Sequence, residues 1–246
     1  MSGRLRYLYR AYRYRYRVDP AEMRFMAARL QPGDLAVDVG CFKGAYTYWM
    51  RRAVGPTGSV VAFEPQPEQV AYIRRMISTM KWQNVRVEGQ GVSNAVGEMT
   101  LLRPASGHEA TFVARKADEQ PCERIHVPVT TLDAQFGAAK AGPRFIKIDV
   151  EGHELEALQG GRETVSAHLP VLLIECETRH RPDGEVRPVF DFLGSLGYEG
   201  SFFLGRKRLP LSEFRADLHQ RVGSDGTLPA SYANNFAFEH PAGRRK

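Results

Sequence analysis

Three titratable side chains follow one apolar segment in the stretch RFIKIDVEGHELEALQGG, residues 144–161. The apolar residues 145–148 are typical of a buried strand, and Asp149, Glu151 and His153 come directly after it. Ionisable groups are costly to place at the edge of a core, so this cluster predicts a site that holds a ligand or moves a proton. His153 has the right intrinsic pKa for a general base. The less specific alternatives are a His153 without a catalytic task and a Glu151 that only favours the dipole of the next helix.

The segment VLLIECE, residues 171–177, is expected to form the neighbouring strand. It brings Glu175 to the same edge of the sheet as Asp149, with Glu177 and His180 behind it. Adjacent strand ends lie about 5 Å apart, so Asp149 and Glu175 are expected to meet there and to orient a substrate. The carboxylates would also suit a shared divalent metal, although no ligand spacing indicates one.

An Asp–Gly turn follows the first predicted strand, where DVGCFKG places Asp38, Gly40 and Gly44 before a helix. The spacing is D-x-G-x-x-x-G and lacks a glycine of the dinucleotide loop, and Asp38 would repel a phosphate. Glu64 ends the second strand, where an acid accepts hydrogen bonds from a ribose diol. Both acids suit a nucleoside that carries an amine and no phosphate, as S-adenosylmethionine does. The alternatives are a strand-end cap for Asp38 and a surface carboxylate for Glu64.

The elements that must position these residues alternate between strands and helices from about Asp19 onward. Parallel strands with helices on both faces are the expected arrangement, and ligands bind beyond the carboxyl ends of such strands. Two shorter strands, GEMTLLRP and ERIHVPVTTL, flank a polar loop at residues 104–123, in which His108 is predicted to be a lid or substrate residue. Seven segments predict the strands of the main sheet: LAVDVG, SVVAFEP, VRVEGQGVS, RFIKIDV, VLLIECE, GSFFLG and NNFAFEH.

The composition is that of an ordinary globular protein, with 246 residues, 43% hydrophobic and 25% charged. No apolar run is long enough for a membrane span and no secretory signal is expected, which predicts a cytoplasmic protein. The three cysteines, Cys41, Cys122 and Cys176, lack CxxC spacing and are predicted to be free thiols.

The net charge of +6 comes from the N-terminal arm, residues 1–18, which contains six arginines, five tyrosines and no acid. The rest of the chain, residues 19–246, is predicted to be a single domain with no net charge. One interpretation of the arm is a helix whose stripe of Leu5, Leu8, Tyr12 and Tyr16 packs on that domain. The other is a surface for anionic lipid, a lipid-linked substrate or RNA, with peripheral contact at the inner membrane face.

The chain resembles the FkbM family of S-adenosylmethionine-dependent methyltransferases over roughly residues 33–240. The resemblance is carried by DVGCFKG, VVAFEP, GVSNAVGEMTL, FIKIDVEGHELEALQGG, LPVLLIECE and NNFAF, and the KIDVEGHE segment with its later GG is its most specific motif. It implies an α/β, Rossmann-like class I methyltransferase fold with a seven-stranded, mostly parallel sheet and helices on both faces. It also implies methyl transfer to a hydroxyl of a sugar or secondary metabolite.

The resemblance also assigns residues to the cofactor. Asp149 would lie beside the delivered methyl group, and Cys41 and Phe42 depart from the family pattern, in which a small residue and Asn are common. The other positions that the resemblance implies for cofactor binding are Asp38, Gly40 and Gly44 in the first loop, Glu64 and Pro65 at the ribose, and Gln90, Gly91 and Val92 beside the adenine.

These observations predict an O-methyltransferase that acts on a hydroxylated, sugar-containing or secondary-metabolite small molecule, with Asp149, His153 and Glu175 as candidate catalytic residues. An RNA methyltransferase using the basic arm is the first alternative, although the neutral body makes nucleic acid an unexpected partner. A non-catalytic cofactor-binding scaffold is the second. A nicotinamide oxidoreductase is disfavoured by the missing glycine of the phosphate loop. The sequence identifies neither the acceptor nor the oligomeric state.

Overall fold

An eight-stranded sheet forms the centre of the molecule, and a separate three-stranded sheet lies beside it. The computed structural model describes residues 3–104, 110–113, 122–181, 183–223 and 226–244. His108 lies outside these residues. The main sheet contains β1 (Leu35–Val39), β2 (Ser59–Phe63), β3 (Val85–Glu88), β7 (Phe145–Ile148), β8 (Val171–Glu175), β9 (Glu199–Leu204), β10 (Lys207–Pro210) and β11 (Asn235–Glu239). The small sheet contains β4 (Gly91–Val92), β5 (Gly97–Pro104) and β6 (Cys122–Thr130).

The strand order of the main sheet is β10-β9-β11-β8-β7-β1-β2-β3. The pairs of β1 with β2 and β7, β2 with β3, and β7 with β8 are all parallel. β11 is antiparallel to both of its neighbours, and β10 is antiparallel to β9 at the edge. The seven predicted strands are therefore confirmed, and β10 is an eighth that was not predicted. Its charged residues and its terminal Pro210 are not typical of a buried strand. Such residues occur on edge strands, where they prevent further pairing.

Helices cover both faces of the main sheet, as predicted. Side chains alternate between the faces of a strand, so Val37 and Val39 pack on one side while Ala36 packs on the other. The helices are α1 (Gly3–Arg13), α2 (Pro20–Arg29), α3 (Ala45–Val54) and α4 (Pro67–Thr79) on one face, α5 (Leu132–Phe136), α6 (Glu154–Gln159), α7 (Arg162–His168) and α8 (Arg187–Ser195) on the other, and α9 (Ala216–His219) near the C-terminus. The segment between β7 and β8 forms two helices, α6 and α7, which are separated by Gly160 and Gly161.

The N-terminal arm is helical and packs on α3. A π-helical turn, Tyr14–Val18, continues α1. The side chain of Tyr7 and the residue Ala11 are buried in the cluster that includes Tyr48 and Trp49 of α3. The indole nitrogen of Trp49 donates a hydrogen bond to the carbonyl of Ala11 at 2.8 Å. The arm therefore packs on the domain as the first interpretation expected, but Tyr7 and Ala11 form the packed face, with Leu8 of the expected stripe beside them.

The opposite face of the arm carries side chains that were expected to be buried. Leu5, Tyr12 and Tyr16 of the predicted stripe are exposed, and Tyr9 is exposed with them. Because a helix repeats every 3.6 residues, positions 7 and 11 turn away from positions 5, 9, 12 and 16. The arm therefore has one buried aromatic face and one exposed aromatic face.

We expect Tyr7→Ala to lower the free energy of unfolding by about 3 kcal/mol or more, because it removes a fully buried aromatic side chain. The Tyr7 ring lies 6.1 Å from that of Tyr48 and 5.9 Å from that of Trp82. Urea denaturation measures the change. The matched control is Tyr9→Ala, two residues along the same helix and 62% exposed, which should cost no more than about 0.5 kcal/mol. Equal losses in the two variants would show that the arm does not pack as described.

Candidate active site

A cavity of about 480 Å³ opens at the carboxyl ends of β1, β2, β7 and β8. This is the edge at which ligands bind in open α/β sheets. The cavity brings together nearly all of the predicted cofactor residues: Asp38, Gly40, Cys41, Phe42, Glu64, Pro65, Gln90, Gly91, Val92 and Asp149. Gly44 is the exception and does not line it. Its carbonyl oxygen instead accepts a hydrogen bond from the hydroxyl of Tyr7 at 2.8 Å.

The loop after β1 presents one acid and a tight backbone turn. Asp38 is 1% exposed, and its Oδ2 accepts a hydrogen bond from Thr47 at 2.5 Å. Its Oδ1 has no partner among the described residues. Gly40 has a φ of +76° and Phe42 a φ of +47°, and the amides of Gly40 and Cys41 both donate to the carbonyl of Phe63. The turn is thus held by the end of β2, and it leaves one buried carboxylate oxygen available for a ligand.

Glu64 follows β2 and faces the same cavity. Its two carboxylate oxygens accept hydrogen bonds from the backbone amides of Phe42, at 2.8 Å, and Gln66, at 2.9 Å. Burial raises the pKa of Glu64 to about 7, although these two amides favour the ionised form. Each oxygen keeps a second lone pair that can accept from a ligand. The neighbouring Gln66 contributes a buried Oε1 that has no partner among the described residues.

A buried lysine organises the acids at the ends of β7 and β8. Lys147 is 3% exposed, and its ammonium group lies 2.8 Å from Oδ2 of Asp149. Burial alone would lower the pKa of Lys147, but Asp149, Asp38 and Glu175 outweigh burial and raise it. Lys147 is therefore charged. Its role was not predicted from the sequence, although a lysine inside an apolar strand is a recognisable signal.

Glu175 ends β8 and lines the cavity with Asp149. Its Oε1 accepts a hydrogen bond from the side-chain amide of Asn234 at 2.7 Å. Burial raises the pKa of Glu175 well above its ordinary value, and the nearby Asp149 adds to this effect. A carboxylate with a raised pKa is a stronger base than an exposed one, which makes Glu175 a candidate for proton removal.

His153 does not line the cavity, so the structure does not bring the predicted base to the mouth. Its Nε2 lies 2.9 Å from Oγ of Ser93, and its ring packs 5.2 Å from that of Phe112. Burial lowers the pKa of His153, despite the opposing effect of Glu156. The physical reason for its position is the backbone before α6, where Glu151 and Gly152 have φ values of +54° and +100°. This turn directs Glu151 to the cavity and His153 away from it.

Glu151 brings a second histidine close to the site. Its Oε2 lies 2.6 Å from Nδ1 of His180, which is 5% exposed. One sequence-based alternative was that Glu151 only favours the dipole of the next helix. Glu151 instead precedes α6, lines the cavity and contacts His180. His180 was expected behind Glu175 near the mouth, but its pairing with Glu151 was not predicted, because the two residues lie 29 positions apart in separate loops.

The arm contributes a wall of the cavity, which was not predicted from the sequence. Arg10, Tyr14 and Val18 of the arm line it, and so does Asp19, the residue directly after the arm. The hydroxyl of Tyr46 donates a hydrogen bond to Oδ2 of Asp19 at 3.0 Å. Burial raises the pKa of Asp19 to about 6, although the bond from Tyr46 opposes the rise. The alternation of arginine and tyrosine in the arm is the sequence feature that accompanies this wall.

No group of three or more His, Cys, Asp or Glu side chains that could hold a metal ion occurs in the part of the chain that the structure describes. The shared divalent metal that the carboxylates would also suit therefore has no ligand set of this size among the described residues. The cysteines Cys41, Cys122 and Cys176 are unpaired, which confirms the prediction of free thiols. Cys41 is buried in the cavity wall, where burial raises its pKa and keeps the thiol protonated.

Several solved structures that resemble this chain are described as methyltransferases. Methyltransferase FkbM from Methylobacillus flagellatus KT matches with a TM-score of 0.53 and 15% identity, over 97% of this chain and 55% of that one. This chain thus spans about half the length of that relative. A putative O-methyltransferase from Klebsiella pneumoniae matches at 0.52 and 14%, over 97% and 89% of the two chains. The O-methyltransferase from Bacillus cereus in complex with SAH matches at 0.51 and 14%, over 97% and 90%. No curated protein matches the sequence.

The strand order and the antiparallel β11 give the class I methyltransferase fold that these structures share. Residues 38–199 match the family described as the Methyltransferase FkbM domain. The chain therefore belongs to the FkbM methyltransferase family. The match begins at Asp38 of the cofactor loop, and the N-terminal arm lies outside it.

The cavity fits the chemistry of S-adenosylmethionine. The cofactor carries two cationic groups, an ammonium and a sulfonium, and a ribose diol that donates hydrogen bonds. The unpartnered Oδ1 of Asp38 is a buried acceptor suited to a cation, and Glu64 retains acceptor capacity for a diol. The lining contains more acids than bases: Asp19, Asp38, Glu64, Asp149, Glu151, Glu175 and Glu177 against Arg10, Lys43, Lys147 and Arg179.

Proposed function

We propose that this protein transfers the methyl group of S-adenosylmethionine to a hydroxyl of an uncharged, sugar-containing or secondary-metabolite small molecule. The observation that carries the proposal is the pair of carboxyl groups, Asp149 and Glu175, in the cavity wall beside the buried Lys147. A hydroxyl must lose its proton as its oxygen is methylated, so an O-methyltransferase benefits from a base at this place.

The cofactor is held by the acids at the ends of β1 and β2. Asp38 receives the ammonium group at Oδ1, and Glu64 accepts the hydrogen bonds of the ribose diol. Gln90, Gly91 and Val92 cover the adenine, as the family resemblance implies. When bound, S-adenosylmethionine supplies an electrophilic methyl group on a sulfonium.

The acceptor hydroxyl is oriented and deprotonated by residues at the ends of β7 and β8. Glu175 takes the hydroxyl proton, and the resulting carboxylic acid keeps its hydrogen bond from Asn234 at Oε1. Asp149, held by Lys147, accepts a hydrogen bond from the acceptor, which fixes the direction of the acceptor oxygen. Lys147 opposes the rise in the pKa of Glu175 and so favours the ionised carboxylate, which is the form that can take the proton.

The charge of the cavity favours a neutral acceptor. The lining has seven acids against four bases, so it offers no excess of positive charge to attract a polyanion such as RNA to the reacting centre. The RNA alternative therefore rests on the arm alone. The scaffold alternative requires loss of the cofactor or proton-transfer residues, whereas Asp38, Glu64, Asp149 and Glu175 are all present in the cavity wall.

The test is to identify the methylated atom. The purified protein is incubated with methyl-labelled S-adenosylmethionine and a set of neutral glycosides and polyhydroxylated metabolites, and each product is examined by NMR. We expect a methoxy signal on a hydroxyl carbon. Labelled methyl groups on nitrogen, on carbon or on added RNA would contradict the proposal. A folded protein that binds the cofactor by calorimetry but labels none of these acceptors would favour the scaffold.

A further inference from the structure

We propose that the exposed face of the N-terminal arm docks on the surface of an anionic lipid bilayer. This arm face is defined by Leu5, Tyr9, Tyr12 and Tyr16 together with Arg6, Arg13 and Arg17. The docking concerns a surface outside the cavity, so it does not depend on which acceptor the protein methylates.

The arm face is a continuous apolar and aromatic stripe. Leu5, Tyr9, Tyr12 and Tyr16 are 53%, 62%, 43% and 61% exposed. Their spacing of four, three and four residues places them on one side of a helix. The rings of Tyr12 and Tyr16 lie 6.1 Å apart, so the stripe continues into the π-helical turn.

Three arginines flank the stripe and are exposed to solvent. Arg6, Arg13 and Arg17 form no ion pair with any acid that the structure describes, and residues 1–17 contain no acid that could neutralise them. Two other arginines of the arm are engaged on the protein: Arg15 stacks 4.4 Å from the ring of Trp49, and Arg10 stacks on Tyr72. The arm face therefore combines positive charge with exposed apolar side chains, of which Tyr12 is the least exposed because its ring also lies 5.1 Å from that of Trp49.

This combination suits a bilayer better than a nucleic acid. Tyrosine rings and leucine side chains gain free energy by entering the boundary between headgroups and acyl chains, while arginines at the same depth bind anionic headgroups. The segment 3–18 is about 24 Å long, long enough to lie along a membrane surface. The helix is fastened on its other face by the buried Tyr7 and by the bond from Trp49 to Ala11, so it presents the arm face as a preformed surface.

The same segment also lines the cavity through Arg10, Tyr14 and Val18. Tyr9 of the arm face and Tyr14 of the cavity wall are separated by about 7 Å along the helix axis. A docked bilayer would thus lie close to the cavity, where an amphiphilic acceptor held in the membrane could reach it. This last consequence rests on the proposed function, whereas the docking does not.

The experiment measures co-sedimentation of the full chain with vesicles of phosphatidylglycerol and phosphatidylcholine in equal parts, and with vesicles of phosphatidylcholine alone. We expect binding to the anionic vesicles only, weakened by added salt. The variant Arg6→Ser with Arg13→Ser and Arg17→Ser should reduce binding on the order of a hundredfold. The matched control carries the same charge change at exposed positions elsewhere, Arg124→Ser with Arg206→Ser and Arg221→Ser, and should bind like the unchanged protein.

A second variant separates the stripe from the charge. Tyr9→Ser with Tyr16→Ser keeps every arginine and should still weaken binding to the anionic vesicles, because the apolar contribution is lost. Cofactor binding by calorimetry shows that each variant is folded. Equal loss in the control triple variant, equal binding to neutral vesicles, or binding to poly-uridine RNA without binding to vesicles would overturn the proposal. None of these readouts requires methyl transfer, so their failure is distinct from a failure of the proposed function.

Discussion

The variant Glu175→Gln should lower kcat for the acceptor by about 10²–10⁴-fold, the usual contribution of a general base. Glutamine has nearly the same shape and can still accept the hydrogen bond from Asn234, which now reaches Oε1 at 2.7 Å. It cannot take a proton from a hydroxyl. We expect cofactor affinity, measured by calorimetry, to change little, because Asp38 and Glu64 are untouched.

Two variants make this result specific. Glu185→Gln removes an exposed carboxylate after β8 and should leave kcat unchanged. His153→Gln removes the base that the sequence favoured, and its effect on kcat should be much smaller than that of Glu175→Gln, since His153 does not line the cavity. A large loss for His153→Gln with normal turnover for Glu175→Gln would restore the original assignment.

The pH profile gives an independent test of the same residue. Burial, reinforced by Asp149, raises the pKa of Glu175 above its ordinary value. The base must be ionised to accept a proton, so the rate should fall as pH is lowered through this raised pKa and should recover as pH rises. In Glu175→Gln the remaining activity should lose that acidic limb. A limb that persists in the variant would show that another group titrates.

The second large effect is expected for Gly40→Ala, which should abolish cofactor binding and lower the free energy of unfolding by about 3 kcal/mol or more. Gly40 has a φ of +76°, and a Cβ there would lie 1.8 Å from the carbonyl oxygen of Asp149 and 2.8 Å from its carbonyl carbon. The overlap is with backbone that cannot rotate away. Either the loop after β1 or the end of β7 must move, and both carry cofactor residues.

The control for Gly40→Ala is Gly184→Ala. Gly184 has nearly the same left-handed φ, +72°, and a Cβ added to it would have no atom of the described residues within 4 Å. The variant therefore has the backbone strain without the overlap, and should cost about 1–2 kcal/mol with cofactor binding intact. Urea denaturation and calorimetry on both variants separate the two contributions. If the two variants lost equal stability and equal cofactor affinity, the overlap with the carbonyl of Asp149 would not be the reason that position 40 requires glycine.

The cofactor side of the site could be predicted because it depends on local chain features. An apolar strand followed by Asp38 and Gly40, and another followed by Glu64, place these groups at one sheet edge whatever the remainder of the molecule does. The structure confirms the class I fold, and the match to the FkbM family supports the dependence on S-adenosylmethionine. The residues assigned to the cofactor stay predictions, although all but Gly44 line the cavity.

The catalytic side was harder to predict because it depends on backbone direction and distant contacts. Two positive φ values before α6 decide that Glu151 faces the cavity and His153 does not, and no residue pattern announces them. The contacts of Glu151 with His180 and of Glu175 with Asn234 join loops far apart in sequence. Leu8 of the predicted stripe packs on the domain, but Leu5, Tyr12 and Tyr16 are exposed, because tyrosine and leucine occur on both sides of the helix and only tertiary packing selects one side.

The hydrogen bond from Tyr7 to Gly44 and the aromatic packing around it have a consequence for shortened chains. A chain that began at Asp19 would uncover the rings of Tyr48, Trp49 and Trp82, which the arm now contacts. Contiguous aromatic surface of this kind promotes self-association and precipitation. Aggregation of such a truncated chain would therefore lower its measured membrane binding and activity, whether or not the arm takes part in either.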